Sequence, residues 1–265
     1  MQGRVLIIAG SDPSGGAGIQ ADIKTVTALG GYAATAITAL TVQNTMGVTG
    51  VHPTPPDIIA AQIDAVLSDI GADAIKIGMI GDVETVELIA ARLAKLEDAT
   101  PIVLDPVLVA SSGDALAGEG VAAAIIEKLA PLCAIITPNI IEAEALTGIK
   151  VRDEDTMAAA GAALVAHGAG AALVKGGHGR GDIIKDVLVT VAGERVFSNP
   201  RIDTTSTHGT GCTLASAIAT GLAQGMALPG AVKRAISYVH KAILMAPGYG
   251  EGHGPLNHTH TLESR

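Results

Sequence analysis

The chain is poor in aromatic residues. Tryptophan is absent, there is one phenylalanine, and aromatics make up 2% of 265 residues. Without aromatic platforms on which bases could stack, single-stranded nucleic-acid binding is excluded as a first reading. Charge is also scarce, at 16%, with a net charge of −9 and no basic run, so a surface that tracks a phosphate backbone is missing. The two cysteines, Cys133 and Cys212, lack metal-type spacing and are too few for a disulfide scaffold. No apolar run approaches the roughly 18 residues of a membrane span, and no cleavage-type segment follows Met1-Gln2-Gly3-Arg4. These absences point to a cytoplasmic protein that binds neither nucleic acid nor membrane.

What the chain does have is a 48% share of apolar residues, almost all of them aliphatic, and 33 glycines. The continuous apolar run Val5-Leu6-Ile7-Ile8-Ala9 is of the kind buried on both faces of a parallel sheet. Further strands are predicted at Tyr32–Val42, Ala74–Ile77, Pro101–Leu104, Ala134–Thr137 and Ala171–Lys175, with a hairpin of Ile184–Val191 and Glu194–Phe197. Helical patterns alternate with them: Ile19–Leu29, Pro56–Leu67, Val83–Leu96, Gly120–Leu129, Ile141–Thr147, Glu154–His167, Thr213–Ala223 and Pro229–Met245. Residues 43–52 read as a loop with a short strand. The alternation predicts an α/β fold, a mostly parallel central sheet with helices on both faces. One domain covers residues 1–248. Residues 249–265, with His253, His258 and His260, read as a poorly ordered tail.

In such a sheet, ligands bind at the carboxyl ends of the strands. The residues there are Gly10 with its glycine-rich loop, Gln43, Met79, Asp105, Asn139 with Glu142, Lys175, and the turn Gly209-Thr210-Gly211-Cys212. The first loop is not a P-loop, because Gly16-Ala17 stands where Lys and Ser/Thr are needed. It is not a nicotinamide fingerprint either, since the next strand ends in Gln43 and not in an acid. Asp105 reads as a metal-side carboxylate or a turn residue. Glu142 reads as a metal ligand or a partner of the helix cap Asn139. Lys175 reads as a ligand group or a snorkelling side chain. Thr207-His208-Gly209-Thr210-Gly211-Cys212 opens a helix of small residues, a natural anion site. Cys212 there is either packing or a thiol whose pKa the helix start would lower. Together these groups suit phosphoryl transfer.

The same stretches carry a resemblance. Ala9-Gly10-Ser11-Asp12-Pro13-Ser14-Gly15-Gly16-Ala17-Gly18, Gln43-Asn44-Thr45, Lys76-Ile77-Gly78-Met79, Asp105-Pro106-Val107, Thr137-Pro138-Asn139, Val174-Lys175-Gly176-Gly177-His178 and Thr207–Thr213 occur in that order. They resemble the hydroxymethylpyrimidine/phosphomethylpyrimidine kinases of the ribokinase superfamily. The resemblance implies a ribokinase-like three-layer fold and an ATP- and Mg²⁺-dependent kinase of thiamine biosynthesis. Its substrates would be 4-amino-5-hydroxymethyl-2-methylpyrimidine and then the monophosphate. It implies that Gly10, Asp22, Gln43, Met79 and Val107 line the pyrimidine pocket, with Asp22 and Gln43 bonding the ring. Asp105 and Glu142 would serve the metal, and Asn139 and Lys175 the nucleotide. Gly209, Thr210 and Gly211 would form the anion hole, with Cys212 facing the acceptor hydroxyl. It also implies a homodimer. Pyridoxal/pyridoxine kinase is the near alternative, and a non-catalytic pyrimidine-binding protein the alternative from another class.

Overall fold

The computed structural model describes residues 2–96, 100–109, 113–114, 116–177 and 181–261. His178 of the quoted motif lies outside them. In chain order the elements are β1 (Arg4–Ser11), α1 (Gly18–Ala28), β2 (Tyr32–Asn44), β3 (Gly47–Pro53), α2 (Pro56–Asp69), β4 (Ala74–Ile77), α3 (Val83–Leu93) and β5 (Ile102–Leu104). Next come α4 (Val121–Ala124), which runs on into a π turn (Ile125–Leu129), β6 (Ile135–Ile136), α5 (Ile140–Thr147), α6 (Glu154–Ala166) and β7 (Ala171–Val174). The chain closes with β8 (Ile183–Thr190), β9 (Gly193–Pro200), α7 (Thr210–Ala223) and α8 (Leu228–Leu244). Among the described residues no helix is long and apolar enough to cross a membrane.

All nine strands form one sheet in the order β3-β2-β1-β4-β5-β6-β7-β8-β9. The six from β2 to β7 in that order are parallel, and antiparallel strands finish both edges. The chain steps from β1 to β2 on one side, then returns to place β4 on the other. That reversal opens a crevice beyond the carboxyl ends of β1 and β4.

Side chains alternate across each strand, so a continuous apolar run serves two cores. Leu6 and Ile8 of β1 join Ile75, Ile77 and Leu104 under α2 and α3, through Ile59, Ile63, Val86 and Ile89. Val5 and Ile7 face the other way with Ala74, Val103 and Ile135, under α1, α7 and α8. The small residues of α7 let it lie deep: Ala215, Ala217 and Ala219 are fully buried. A chain with so few aromatics fills its interior by close approach and not by bulk.

Several predicted boundaries shift, α7 beginning at Thr210 and not Thr213 and α3 ending at Leu93 and not Leu96, and two shifts change an element's character. β2 continues through Asn44, where a loop was expected, because Gln43 and Asn44 pair antiparallel with Val48 and Gly47. The helix expected over Gly120–Leu129 is α-helical only to Ala124 before widening into the π turn.

The tail is a correction. Residues 249–265 were expected to be poorly ordered; 262–265 lie outside the described residues, and the rest of the segment packs against the body. Leu256, His258 and His260 are buried. The last two sit in a short 3₁₀ turn (His258–Thr261) beside Tyr238, whose ring centroid lies 4.7 Å from that of His260. His258 Nδ1 lies 3.2 Å from Tyr238 Oη and 3.3 Å from Thr25 Oγ1. Burial pushes the His258 imidazole down to about 4, so it packs neutral. The histidines look polar in the sequence, but their rings and hydrogen-bond partners let them go inside. Ending the chain after Gly248 is expected to cost about 2–4 kcal/mol, the scale of burying one or two large side chains. The check is a urea-unfolding midpoint; an unchanged midpoint would mean that the segment adds nothing to the fold.

Candidate active site

At the carboxyl ends of the strands lies one cavity of about 600 Å³. The helix starts and loops that follow β1, β4, β5, β6 and β7 all open into it. Of the expected residues, Gly10, Gln43, Met79, Asp105, Val107, Asn139, Glu142, Lys175 and Gly209 to Cys212 line it.

One end is narrow and largely apolar. Gly10 follows the buried run of β1, and a Cβ there would lie 3.0 Å from Met79 Sδ, so the backbone forms the wall itself. Thr38 anchors Met79 by donating to its carbonyl at 2.7 Å. Thr41 Oγ1 lies 3.0 Å from the Ser11 carbonyl oxygen and 3.1 Å from Gln43 Oε1, which holds the Gln43 side chain at the cavity wall.

Asp22 does not belong to this wall. It is fully buried beneath it and does not line the cavity. Lys76 Nζ holds Asp22 Oδ2 at 2.8 Å, and Ser216 Oγ donates to Oδ1 at 2.7 Å. Burial would push the Lys76 ammonium down, but Asp22, followed by Cys212 and Asp105, holds it above the ordinary lysine range. The expectation that Asp22 reads a ring is therefore corrected: one of its oxygens holds a buried lysine and the other is taken by Ser216. It is Lys76 that reaches the cavity. Breaking such a pair costs about 3–5 kcal/mol, since one charge is left buried alone.

The other end carries charge. Asp105 follows β5 and Lys175 follows β7. Their Oδ1 and Nζ lie 2.9 Å apart, and Thr137 donates to the same oxygen at 3.3 Å. Burial would lower the Lys175 pKa, but Asp105 and then Glu142 outweigh it and keep the side chain a cation. The first turn of α7 is aimed at this pair. A Cβ on Gly211 would lie 3.2 Å from both Asp105 Oδ2 and Lys175 Nζ. Gly209 caps the helix at φ +79°, a left-handed conformation that a side chain disfavours, and a Cβ there would fall on the Gly16 carbonyl oxygen. The helix start thus stands beside a lysine, with the Thr210 N–H turned back to the Thr207 carbonyl at 3.3 Å, a place for anionic oxygens.

Asn139 and Glu142 form a capping box: Asn139 N–H donates to Glu142 Oε2 at 2.7 Å and Glu142 N–H to Asn139 Oδ1 at 2.9 Å. The cap is made, and the same carboxylate also lines the cavity near Lys175. Burial pushes the Glu142 carboxyl up to about 7; Lys175 opposes that rise and Asp105 adds to it. A pKa raised in the folded state gives stability that is full below the unfolded value near 4.3 and is lost as pH rises through about 7.

Cys212 follows Gly211 into the helix. Burial pushes its thiol up to about 12; Lys76 opposes this, while Asp22 and Asp105 add to it. The lowering expected from a helix start is overridden by the cost of a buried thiolate. Cys133 is buried packing, as expected from its place before β6, and its thiol is pushed higher still.

Three further features were not read from the sequence. Asp186 of β8 accepts from the Gly176 N–H at 2.9 Å and shapes the turn after Lys175. His208 Nε2 lies 2.8 Å from Asp12 Oδ2. One face of α8, with Ile236, Val239, His240 and Ile243, forms an outer wall opposite residues 199–202. A lone lysine or aspartate in an apolar strand is a usable signal, available for Lys76 and Asp186; the α8 wall looks like any amphipathic helix.

The family model described as phosphomethylpyrimidine kinase matches residues 12–257. A hydroxymethylpyrimidine/phosphomethylpyrimidine kinase of Rhizobium meliloti is 48% identical, with 96% of each chain covered. A thiamine biosynthesis bifunctional protein of Geobacter sulfurreducens is 49% identical; this chain spans about half of that protein, 52%. Among solved structures, an ADP complex of Bacillus subtilis pyridoxal kinase superposes with a TM-score of 0.90 at 34% identity, over 100% of both chains. A phosphomethylpyrimidine kinase of Clostridium difficile gives 0.80 at 42% identity, over 91% of this chain and 99% of that one.

Two measurements check the electrostatics. The rate of Cys212 alkylation by iodoacetamide is expected to climb with pH beyond 10 without levelling, because the thiol is pushed up to about 12. A plateau near pH 8 would show an activated thiolate. Glu142→Gln keeps an oxygen for the cap but does not titrate. Wild type is expected to lose stability relative to it as pH rises from about 4.3 to about 7 in urea unfolding, with no further relative fall above that. Parallel pH profiles would contradict the raised pKa.

Proposed function

The chain belongs to the phosphomethylpyrimidine kinase family, and from that membership we propose what its cavity does. It passes the γ-phosphoryl group of ATP to the hydroxymethyl group of 4-amino-5-hydroxymethyl-2-methylpyrimidine, and then phosphorylates the monophosphate. Family membership makes the chain a phosphotransferase of thiamine biosynthesis. The observation that carries the assignment of sites is the Lys175–Asp105 pair, facing the start of α7 in the same cavity as Gly10 and Met79.

The ring lies at the narrow end, against Gly10, Met79 and Val107, with Gln43 donating its amide hydrogens to a ring nitrogen. Lys175 and the start of α7 at Gly209, Thr210 and Gly211 hold the transferring phosphoryl group. Phosphoryl transfer has a loose transition state, so placing charge and aligning the two oxygens do most of the work. Cys212 orients the hydroxyl. With its thiol at about 12 it does not take the proton before transfer. Asn139 lies toward the nucleotide, and the α8 wall of Ile236, Val239 and Ile243 gives the base an apolar surface.

Asp105 and Glu142 fit Mg²⁺. Two hard oxygen donors beside a phosphate site are what this ion uses, and the Asp105 repulsion that adds to the burial-driven rise of the Glu142 pKa would be relieved by a cation. No group of three or more His, Cys, Asp or Glu that could cage a metal occurs among the described residues, so the remaining ligands would be phosphate oxygens and water. Bound Mg²⁺ would neutralise charge on those oxygens.

One observation favours pyridoxal as the acceptor: the TM-score of 0.90 to a pyridoxal kinase. Identity is higher to the pyrimidine kinases. ATP consumption with the pyrimidine alcohol and with pyridoxal, measured side by side, separates the two. The pyrimidine is expected to be used at least about tenfold better in kcat/KM, the discrimination that a hydrogen bond or two to the ring supplies. Turnover of pyridoxal alone would overturn the assignment, and pyrimidine binding without transfer would favour a non-catalytic protein.

A further inference from the structure

The two glycine-rich loops of the cavity are 196 residues apart in the chain, yet they share one carboxylate. Asp12 lies in the loop after β1 and His208 just before α7; both are almost fully buried. Asp12 Oδ1 accepts from Ser14 N–H at 2.8 Å. Its Oδ2 accepts from Ser14 Oγ at 2.9 Å and Ala17 N–H at 2.8 Å, and meets His208 Nε2 at 2.8 Å. Four protein partners take up the lone pairs of this carboxylate, which leaves little capacity for a metal or for a substrate proton.

The His208 ring is clamped in turn. A Cβ on Gly16 would fall on its Cδ2, so Gly16 lies flat against it. The His208 N–H donates to the Gly254 carbonyl at 3.1 Å, and His253 N–H donates to the Thr45 carbonyl at 2.8 Å. The segment after α8 therefore ties the α7 loop to the β2–β3 turn. The next residue, Gly209, caps α7 and rests on the Gly16 backbone. Any shift of the His208 ring moves the first N–H groups of α7 against the loop that carries Gly10.

We propose that Asp12 and His208 are a positioning pair: they set the α7 helix start at a fixed place relative to the ring-binding wall, so that the acceptor hydroxyl meets the phosphoryl group in line. Both residues line the cavity, but the Asp12 carboxylate is taken up by the hydrogen bonds of its own loop and of His208. The pair acts through the register of two loops that hold one reactant each. Displacing reacting groups by about 1 Å can cost about 100-fold in rate.

This rests on the kinase reading, which the wild-type assay decides first. Asp12→Ala and His208→Ala are each expected to lower kcat at least about 50-fold, with KM for pyrimidine and for ATP within about threefold. Asp12→Asn keeps an acceptor for the Ser14 N–H but turns an amide NH2 toward the Ala17 N–H that Oδ2 accepts, and should lose kcat on the same scale as Asp12→Ala. The double variant Asp12→Ala/His208→Ala should be no more than about threefold worse than the poorer single, because the two residues act as one unit. Losses that multiply, a kcat within threefold of wild type, or a rise in KM equal to the fall in kcat would overturn the pair. If Asp12→Ala does not fold by far-UV circular dichroism, Asp12→Asn, His208→Gln and their double test the same coupling by the same criteria. If the wild-type protein transfers no phosphate, the kinase reading fails, and Cys212 alkylation by iodoacetamide decides the pair. A change of at least about fivefold in Asp12→Asn with Cys133 unmodified supports loop registration, and an unchanged rate refutes it.

Discussion

The ion pair between Lys175 and Asp105 is the constraint around which the rest is arranged. Two opposite charges are held 2.9 Å apart with little access to water. Such a pair is a poor device for stability, because desolvation takes back much of the Coulomb attraction. It makes sense as a device for binding: a cation fixed at the end of β7, with a carboxylate at the end of β5 that keeps it charged in a site from which water is largely excluded. The same logic recurs one layer deeper, where Asp22 keeps Lys76 ionised under the cavity floor. Two buried lysines, each with its own carboxylate, make the cavity hospitable to anions in a chain whose net charge is −9.

The sheet makes that arrangement possible. Parallel strands all end on one side, so residues following β1, β4, β5, β6 and β7 converge although they lie far apart in the chain. The reversal between β1 and β4 opens the crevice, and α7 brings its positive end to the charged rim. Close approach does the rest. Gly16 and Gly209 meet backbone to backbone, and Gly211 leaves room between the helix and the ion pair. The scarcity of aromatics fits the same design, since small helix residues allow this depth of packing.

Much of this was legible. The apolar run Val5 to Ala9 announced a doubly covered strand, Ala74–Ile77 was delimited as the structure has it, and the strand-end positions gave the lining of the cavity. What was not legible depends on the third dimension. Nothing local distinguishes Asp22 pointing into a pocket from Asp22 pointing at Lys76, 54 residues away. A helix start lowers a thiol's pKa only where solvent or a nearby cation can support the thiolate. At Cys212 burial decides the balance in the other direction. The tail histidines read as polar, yet a packing partner such as Tyr238 is visible only once α8 is folded. The link from Asp12 to His208 joins two motifs that the sequence shows separately.

The sharpest test of the Lys175–Asp105 centre is to remove its charge without touching the ring end. In Lys175→Met, turnover measured with ATP and the pyrimidine alcohol should fall at least about 100-fold, the scale of losing one preorganised charge at the transition state. The dissociation constant of the pyrimidine alone, from calorimetric titration, should stay within about threefold of wild type. A variant that transfers phosphate at the wild-type rate, or that loses pyrimidine affinity as steeply as turnover, would contradict the placement of the phosphoryl group at this pair.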